Sequence, residues 1–393
     1  MALSGKLVPS PVLRAALVAG EASGDLLAGL LLDALLKRWH GLQSFGIGGP
    51  SMVQRGFSAW WEYDKLSVHG FGLDVLMRYT EIVGIRRALR ARLLQDKPEV
   101  FIGVDAPDFN LSLEEDLRHA GIRTVHFVCP SVWAWRAHRL AKIRRSADHV
   151  LCLFPFEPAL LADNGINATF VGHPLAQLIP DQTDRLAARE HLGLATDRPV
   201  VAILPGSRLS EIRHLADRFL QAAVLIRQEM PEVQFVLPVA LGLDAEIKAR
   251  LAHAGLSPHI QVLQGQSHAA LQACDVTLIA SGTATLEAAL FRRPMVIAYR
   301  MSALSWALVN RQRLQPWVGL PNILCQSFVV PELLQEQATP ARLAQEVLLW
   351  LESSVRGDAR LTELERTFAR LHAQLRCDTG TLAAQAVGQV LKT

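Results

Sequence analysis

The sequence predicts an α/β protein with two Rossmann-like domains, each built on a doubly wound parallel sheet. Its 393 residues exceed the size of one typical hydrophobic core, so two domains are expected. Short apolar runs alternate with helix-length segments through most of the chain. Several of these runs are apolar at every position, as in parallel strands that helices cover on both faces.

The first half contains the first group of expected strands and a long helix after the earliest of them. That helix is expected over 25–39, where DLLAGLLLDALLKRW places leucines at helical spacing. The strands of this half are expected at 15–20, 42–47, 100–104, 124–128 and 149–154.

The second half repeats the alternation after a linker at VGHPLA, residues 171–176. Its strands are expected at 200–203, 233–239, 260–263, 276–280 and 294–299. From about Arg342 the pattern is helical, with no strand signal. We therefore expect domains at 1–173 and 174–341, followed by helices over 342–393. Two Rossmann-like domains that face a cleft describe the GT-B fold, in which ligands lie beyond the carboxyl ends of strands.

Composition narrows the class of protein. A net charge of +3 is too mild to indicate a nucleic-acid partner. The five cysteines form no CxxC pair, which fits a reducing compartment such as the cytoplasm. Pro11 and Arg14 interrupt the apolar N-terminal stretch, so no signal peptide is expected. No run of about 18 apolar residues occurs, so any membrane contact is expected at the surface only.

Two loops of the second half indicate a nucleotide site. LPGSR at 204–208 and SGTATLE at 281–287 each follow an apolar run and open a helical segment. Helix N-termini present free N–H groups and the positive end of the helix dipole, which favours phosphate. Arg208 would bind a phosphate and Glu287 the ribose hydroxyls, with Ser281, Gly282 and Thr283 beside them. The alternative is an ordinary turn, a solvated arginine and a glutamate that favours a helix start.

The loop GEASGD at 20–25 follows the first expected strand. It lacks the GxGxxG pattern of dinucleotide-binding proteins, and Glu21 would repel a pyrophosphate. We predict a loop that contacts the sugar or the acceptor through Glu21, Ser23, Gly24 and Asp25. The alternative is a tight turn between strand and helix, with Asp25 as a helix cap.

A candidate general base follows the strand at 100–104. DAPDFN places Asp105 and Asp108 three residues apart around a stiff proline turn. A transfer that inverts the sugar anomer needs a carboxylate to take the proton of the acceptor hydroxyl. Aspartate is also a frequent helix cap. We expect one carboxylate to cap the helix and Asp105 to act as the base, with Asp108 as the next candidate.

Two further segments suggest contact with an anionic lipid or a bilayer. WAWRAHRLAKIRR at 133–145 joins tryptophans to a basic helix, although the charges could equally form a solvated face. The segment 67–94 predicts a basic amphipathic helix, a type that binds anionic bilayers. Its proposed membrane or acyl-chain surface comprises Phe71, Val75, Leu76 and Met77. The alternative is a helix wedged between two core layers.

Metal and cofactor motifs are not found in the sequence. It contains no HExxH, DxD, Walker A, zinc-finger or GxSxG pattern, and scattered histidines such as His69, His126 and His173 lack metal-ligand spacing. We therefore expect neither a metal nor a cofactor. In a GT-B enzyme, an arginine and helix dipoles can offset the charge of a diphosphate.

Taken together, these motifs resemble those of one family, the lipid-A-disaccharide synthases. The matching stretches occur in order over nearly the whole chain, and as a set they are very specific. They are GEASGD at 20–25, FGIGGPSM at 45–52, GVDAPDFN at 103–110, PSVWAWR at 130–136, VGHPL at 171–175, LPGSRLSEI at 204–212, SGTATLE at 281–287 and VGLPNIL at 318–324.

The resemblance implies an inverting glycosyltransferase of GT-B type. Its UDP-activated donor would be UDP-2,3-diacylglucosamine, its acceptor 2,3-diacylglucosamine 1-phosphate, and its product a β-1,6-linked disaccharide. It implies the base role for Asp105, nucleotide contacts for Arg208 and Glu287, and an active-site position for Asn322. It also implies C-terminal helices that cross back to the first domain, homodimers by segment exchange, and a peripheral location on the cytoplasmic face of the inner membrane.

Two other kinds of protein remain as alternatives. A UDP-N-acetylglucosamine 2-epimerase shares the fold but needs no acyl-chain site and no membrane surface. A non-catalytic lipid-binding protein would have no reason to retain Asp105, Arg208 and Glu287 together. An NAD dehydrogenase is less well supported, because no GxGxxG follows either leading strand.

Overall fold

The computed structural model describes residues 12–66 and 73–392. The described chain divides into two compact units. One comprises the residues up to Pro174 together with those from Leu375 onward, and the other comprises Leu175–Gln374. Each unit contains one parallel sheet with helices against it, which confirms the predicted α/β class.

The first unit contains a seven-stranded sheet in the described range, with the order β3-β2-β1-β4-β5-β6-β7 and parallel pairing throughout. Its strands are β1 (Arg14–Ala19), β2 (Gln43–Gly48), β3 (Ser58–Glu62), β4 (Val100–Val104), β5 (Arg123–Phe127), β6 (His149–Cys152) and β7 (Ala168–Phe170). Its helices are α1 (Ala22–Arg38), α2 (Pro50–Val53), α3 (Leu73–Asp96), α4 (Pro107–His119), α5 (Arg139–Ser146), α6 (Glu157–Ala162) and the C-terminal α17 (Thr379–Val390), with a 3-10 turn at Tyr63–Leu66.

The second unit contains a six-stranded parallel sheet with the order β10-β9-β8-β11-β12-β13, again among described residues. Its strands are β8 (Val200–Leu204), β9 (Gln234–Val239), β10 (Ile260–Gln264), β11 (Val276–Ala280), β12 (Met295–Tyr299) and β13 (Glu332–Leu334). The helices are α7 (Pro174–Leu178, beginning at the boundary), α8 (Arg185–His191), α9 (Leu209–Glu229), α10 (Asp244–His253), α11 (Ser267–Ala273), α12 (Thr283–Leu290), α13 (Ala303–Gln312), α14 (Leu320–Cys325), α15 (Pro340–Arg356) and α16 (Ala359–Leu375), with a 3-10 turn at Gln335–Gln337.

The central strands of both sheets are buried along their whole length, as their apolar sequences predict. Strands β4, β8 and β11 have no exposed residue. In the first unit, leucines of α1 cover one face of the sheet, and α17 packs beside α1. The two helices approach closely because Gly380 has no side chain. A Cβ there would lie 2.7 Å from the carbonyl oxygen of Leu30.

The structure corrects the expected extent of the C-terminal crossing. Only the residues from Leu375 onward belong to the first unit, whereas 342–374 lie in the second. The reason is the apolar stripe of α15, in which Leu343, Val347 and Trp350 are buried, and the packing of α15 on α9. The division of the described chain therefore places 342–374 with the second unit, whereas the predicted boundary grouped all of 342–393 with the first domain.

The segment predicted as a basic amphipathic helix is helical from Leu73. Phe71 lies outside the described residues, and the side chains of Val75, Leu76 and Met77 are not among those described. Further along α3, residues Ile85, Leu89 and Leu93 are buried against the sheet at helical spacing. This half of the helix therefore belongs to the core. Across the ranges 12–66 and 73–392, no helix is both long enough and apolar enough to span a bilayer.

Candidate functional site

The carboxyl ends of β1 and β4 bring two predicted loops together in the first unit. The strands are direct neighbours in the sheet. A Cβ at Gly20, the first residue of GEASGD, would lie 3.1 Å from the Cβ of Ala106. Parallel strands deliver their following loops to the same edge. The candidate base and the loop at 20–25 therefore form one region of this unit.

Asp105 occupies a strained turn. Asp105 and Ala106 have φ values of 51° and 42°, in the left-handed region that side chains disfavour. Each such residue costs roughly 1–2 kcal/mol, so the surrounding structure must hold the turn in place. The Asp105 N–H donates to the Phe127 carbonyl at 2.8 Å, and Asn110 Nδ2 donates to the Asp105 carbonyl at 2.8 Å. Backbone strain at such a position is typical of functional turns.

Asp108 has a different environment from Asp105. It lies in the first turn of α4, its side chain is 83% exposed, and Oδ1 accepts from Arg139 at 2.6 Å. The N-cap residue of α4 is Ala106, so the cap residue offers no side-chain hydrogen bond to the first turn of the helix. Asp108 complements the helix dipole from the first turn, as a negative charge there does. These features support Asp105 as the better-placed base candidate.

In the loop at 20–25 the side chains differ in exposure. Glu21 and Ser23 are exposed, whereas Gly24 is buried. Asp25 is 4% exposed, and its carboxylate accepts backbone hydrogen bonds from Gly49, Ser51 and Met52 at 2.8, 2.8 and 3.2 Å. This carboxylate caps α2 and fastens the glycine loop after β2. The structure thus gives Asp25 a role in holding the loop, while substrate contacts by Glu21 and Ser23 stay predictions.

The basic helix α5 has most of its charges engaged by α4. Arg139 pairs with Asp108, Arg145 pairs with Glu115 at 2.7 Å, and Lys142 donates to Ser112 Oγ at 2.7 Å. The interpretation of α5 as a free anion-binding patch therefore does not hold for these three side chains. Their charges stabilise the packing of two neighbouring helices instead.

Trp133, which precedes α5, forms part of an aromatic cluster. Trp133 contacts Phe154 and Phe156 edge to face. Its indole N–H donates to Glu157 Oε1 at 2.9 Å, and Glu157 Oε2 accepts from the Phe154 N–H at 3.0 Å. Burial raises the pKa of Glu157 to about 7, although these hydrogen bonds oppose the shift. A carboxyl group in this aromatic setting therefore titrates close to neutral pH.

The raised pKa of Glu157 predicts a pH dependence of stability. Its contribution is fully present below the unfolded pKa of 4.5 and is lost as the pH rises through about 7. The wild-type free energy of unfolding should therefore fall, relative to Glu157→Gln, by roughly 2–3 kcal/mol between pH 5 and 8. Urea unfolding at several pH values measures this difference. Glu81→Gln, at an exposed position of α3, is the control. Parallel profiles for wild type and Glu157→Gln would contradict the assignment.

The loop at 204–208 in the second unit positions Arg208 at the start of α9. Arg208 is the N-cap residue, and its side chain is 76% exposed. Gly206 has φ 126°, and a Cβ there would overlap the side chain of Glu211, so glycine is required. Glu211 Oε2 accepts from the N–H groups of Ser207 and Arg208 at 2.9 and 3.2 Å.

Glu211 was not among the predicted site residues, and it changes which groups of this loop are available to a phosphate. Its carboxylate occupies two of the N–H groups that a phosphate was expected to bind. The Arg208 side chain forms a long ion pair with Glu211 Oε1, at 4.0 Å, and otherwise remains exposed at this helix start. The sequence carried a signal for Glu211, because a glutamate three residues after a helix cap commonly returns to the cap N–H.

The second predicted loop surrounds the start of α12. Ser281 Oγ donates to the Val318 carbonyl at 2.8 Å, which ties this loop to the segment before α14. Gly282 and Thr283 are exposed. Glu287 is 18% exposed and lies 3.4 Å from His268 Nε2 on α11. The hydrogen bond that the His268 ring donates to Glu287 raises the pKa of His268, whereas burial alone would lower it. His268 therefore orients the carboxylate that was predicted to bind ribose.

Asn322, for which the resemblance implies an active-site position, is fully engaged by hydrogen bonds within its own unit. It is fully buried, Nδ2 donates to the Val330 carbonyl and to Glu332 Oε1, and Oδ1 accepts from the N–H groups of Val329 and Val330. These four hydrogen bonds, between 2.8 and 3.1 Å, use the whole capacity of the amide. Asn322 therefore fixes the loop at 327–332 and holds Glu332, while its contact with substrate stays a prediction.

Glu332 in turn organises the GLPN segment. Its two oxygens accept from the N–H groups of Val318 and Gly319, each at 2.9 Å. Burial raises the pKa of Glu332, while these hydrogen bonds favour the ionised form. Sequence reasoning missed Glu332, because a glutamate in an unpredicted strand carries no motif.

For metals, no cluster of three or more His, Cys, Asp or Glu side chains that could bind an ion occurs within 12–66 and 73–392.

Comparison with known proteins gives one consistent result. The family model for lipid-A-disaccharide synthetase matches residues 15–387. The chain is 63% identical over 380 residues to lipid-A-disaccharide synthase of Albidiferax ferrireducens, covering 97% of this chain and 98% of the relative. It is 59% identical over 379 residues to that of Verminephrobacter eiseniae, covering 96% and 97%.

A solved structure resembles the whole chain in fold. The UDP-GlcNAc 2-epimerase of Neisseria meningitidis, bound to UDP-GlcNAc, has a TM-score of 0.59 and 11% identity, covering 97% of this chain and 100% of the epimerase. At this identity the likeness concerns the fold alone. It extends over both units and agrees with the predicted two-domain GT-B class.

Proposed function

Because the chain belongs to the lipid-A-disaccharide synthase family, we propose that it is a glycosyltransferase that joins two acylated glucosamines in lipid A biosynthesis. The donor is a UDP-activated 2,3-diacylglucosamine and the acceptor is 2,3-diacylglucosamine 1-phosphate. The observation that carries this proposal is the 63% identity over 97% of the chain to a protein of that name. The retained DAPDFN and PGSR loops agree with it.

The proposed reaction assigns proton transfer to Asp105. The acceptor's 6-hydroxyl attacks the anomeric carbon of the donor, and the bond from that carbon to the diphosphate breaks. UDP leaves with the bond electrons, and the hydroxyl proton passes to the Asp105 carboxylate. Two hydrogen bonds hold the backbone of Asp105 in the strained turn, one to the Phe127 carbonyl and one from the Asn110 side chain. They keep the carboxylate in a fixed place, which efficient general-base catalysis needs.

The second unit is proposed to bind the donor nucleotide. The exposed Arg208 side chain offers a charge-assisted bond to a phosphate, and the α9 dipole adds positive potential at that point. Glu287, oriented by His268, accepts hydrogen bonds from ribose hydroxyls. Ser281 ties its loop to Val318, so that Gly282 and Thr283 present their backbone from a fixed position.

The assay that tests this function measures release of UDP. We expect release to require both acylated sugars and to be insensitive to EDTA. Omission of the acceptor is the control for simple donor hydrolysis. Turnover of water-soluble UDP-N-acetylglucosamine without a lipid acceptor would instead support the epimerase alternative, which shares the fold. Loss of activity on chelation would contradict the metal-free reaction.

We further propose peripheral contact with the cytoplasmic face of the inner membrane, because acylated substrates must be collected from a bilayer. The apolar positions 71, 75, 76 and 77, near the start of α3, are the candidate surface. Arg86 and Arg87 add positive charge further along the helix, which suits anionic lipid, whereas Arg90 pairs with Asp116 at 2.8 Å.

A homodimer, which the family resemblance implies, is part of the same proposal and can be tested by analytical ultracentrifugation.

Changing Phe71, Val75 and Leu76 together to serine tests the membrane surface. We expect weaker binding to anionic liposomes and less need for detergent, with little change in the melting temperature, because these positions would face lipid rather than core. Liposome flotation and thermal unfolding measure the two effects. A matched control is Ile85→Ser, since Ile85 is 7% exposed and packs in the core. That variant should lose stability. If the triple variant behaved like Ile85→Ser, the proposed surface would belong to the core.

A further inference from the structure

A buried ion pair in the first unit has no role in the reaction described so far. Glu114 on α4 and His126 on β5 are both completely buried, and Glu114 Oε1 lies 2.7 Å from His126 Nδ1. Strand β4 makes room for the pair. A Cβ at Gly103 would overlap Glu114 Oε1, so only glycine fits at this position of the strand. Gly103 lies two residues before Asp105.

Both members of the pair have a raised pKa. Burial alone would lower the pKa of His126, but the charge and hydrogen bond of Glu114 outweigh it and raise that pKa. Burial raises the pKa of Glu114, and His126 opposes the shift. The other charged groups that act on the pair are Asp105, on His126, and Lys142 from α5, on Glu114.

Three buried polar atoms of this region lack a hydrogen-bond partner among the described residues. They are Glu114 Oε2, His126 Nε2 and Asn110 Oδ1. A buried polar atom without a partner is destabilising, and a buried ion pair usually adds little net stability. Stability therefore does not explain this cluster well. Such groups are often retained where a site needs a particular charge distribution.

The cluster is connected directly to the turn of the candidate base. Asn110, the neighbour of Gly103 on α4, donates to the Asp105 carbonyl at 2.8 Å. His126 precedes Phe127, whose carbonyl accepts from the Asp105 N–H at 2.8 Å. His126 pairs in register with Gly103 across the two strands. Helix α4 and strand β5 thus fix the turn from two sides, with the ion pair between them.

We propose that Glu114 and His126 are positioning residues that hold the turn of Asp105. This inference rests on the proposed function of Asp105. Neither side chain contacts substrate in the proposal. The contact between Glu114 and His126 joins α4 to β5, and these two elements supply the hydrogen bonds to the Asp105 backbone.

Glu114→Gln is the most direct variant. Glutamine keeps the size and the hydrogen bond but removes the negative charge, so burial then favours neutral His126. Because the variant lacks the titrating carboxyl group of the pair, the pH profile of kcat/KM should shift relative to wild type. We expect kcat at pH 7 to fall about 3- to 30-fold, a part of the range for general-base effects, while KM for the UDP-sugar changes less than twofold. His126→Gln should shift the profile in the same direction.

His372→Gln is the matched control. His372 is also a buried histidine with one hydrogen bond, from Nε2 to the Ala176 carbonyl at 2.9 Å, but it lies in the other unit. A structural effect of losing a buried imidazole would appear there as reduced stability, with an unchanged pH profile. If Glu114→Gln lowered the melting temperature but left the pH profile and kcat unchanged, the pair would be merely structural and the proposal would be wrong.

A measurement on the wild-type protein covers the case in which the variants do not fold. The nitrogen-15 shifts of the histidine rings should show that the imidazole assigned to His126 titrates at a higher pH than an ordinary histidine, because Glu114 raises its pKa. A neutral His126 at pH 7 would overturn the proposal. This readout needs no substrate. If the ring were protonated but no disaccharide formed, the proposed function would fail while the charge state of the pair stood.

Discussion

Asp105→Asn is expected to lower kcat by about two to four decades, the usual range for loss of a general base. Asparagine keeps the shape of the side chain and tolerates the left-handed φ of 51°, but it cannot take the acceptor proton. Binding of UDP should change little, because no nucleotide contact is assigned to Asp105. Steady-state kinetics and calorimetric titration of UDP measure the two effects.

Asp108→Asn is the control for this prediction. Asp108 is 83% exposed and pairs with Arg139, so its loss should reduce turnover by less than about fivefold, as expected for a surface ion pair. Near-full turnover of Asp105→Asn together with a large loss for Asp108→Asn would reverse the two assignments.

Arg208→Ala should weaken UDP binding by about 1.5–3 kcal/mol, which is the range for a hydrogen bond to a charged group. Arg208 caps α9 with its side chain 76% exposed, so the free protein should lose little stability. Calorimetric titration with UDP gives the affinity directly, and thermal unfolding shows whether the fold is retained.

Arg213→Ala controls for the loss of any positive charge near this helix start. Arg213 is exposed and lies on the same helix, five residues further along. We expect its variant to bind UDP within about twofold of wild type, because a solvated surface charge contributes little. Equal losses for both variants would indicate a general electrostatic effect, and no loss for Arg208→Ala would remove the phosphate role.

The interior strands of each sheet could be predicted from the sequence, whereas three of the four edge strands in the described range could not. Every strand expected from an apolar run is present within about two residues. The three missed strands, β3, β7 and β13, are all edge strands. They are only partly buried: β3 and β7 contain no buried residue, and β13 contains one. An edge strand is covered on fewer sides, so its sequence carries no continuous apolar signal.

The C-terminal helices show a second kind of limit. Their helical pattern was clear, but an apolar stripe does not say which partner it will contact. The stripe of α15 packs on α9 within the second unit, and α17 packs on α1 within the first. Tertiary partners of a helix depend on chain path and on close approach at positions such as Gly380, which periodicity does not encode.

For the candidate site, the motifs located the loops but not the task of each polar side chain. Asp25 and Asn322 were predicted as substrate contacts, yet their oxygens and amide bind the backbone of neighbouring loops. The side chain of Arg208 is exposed and those of Asp105 and Glu287 are half-buried. These three residues remain the predicted functional set. A polar residue in a motif can serve the loop or the ligand, and only three-dimensional hydrogen bonding separates the two.

The most direct test of the central claim is the chemical identity of the product. The purified protein is incubated with UDP-2,3-diacylglucosamine and 2,3-diacylglucosamine 1-phosphate, and the lipid products are analysed by mass spectrometry. We predict a tetra-acylated disaccharide monophosphate in amounts equal to the UDP released, and only when both substrates are present. Release of UDP without disaccharide, or an epimerised sugar nucleotide as the only product, would contradict the account.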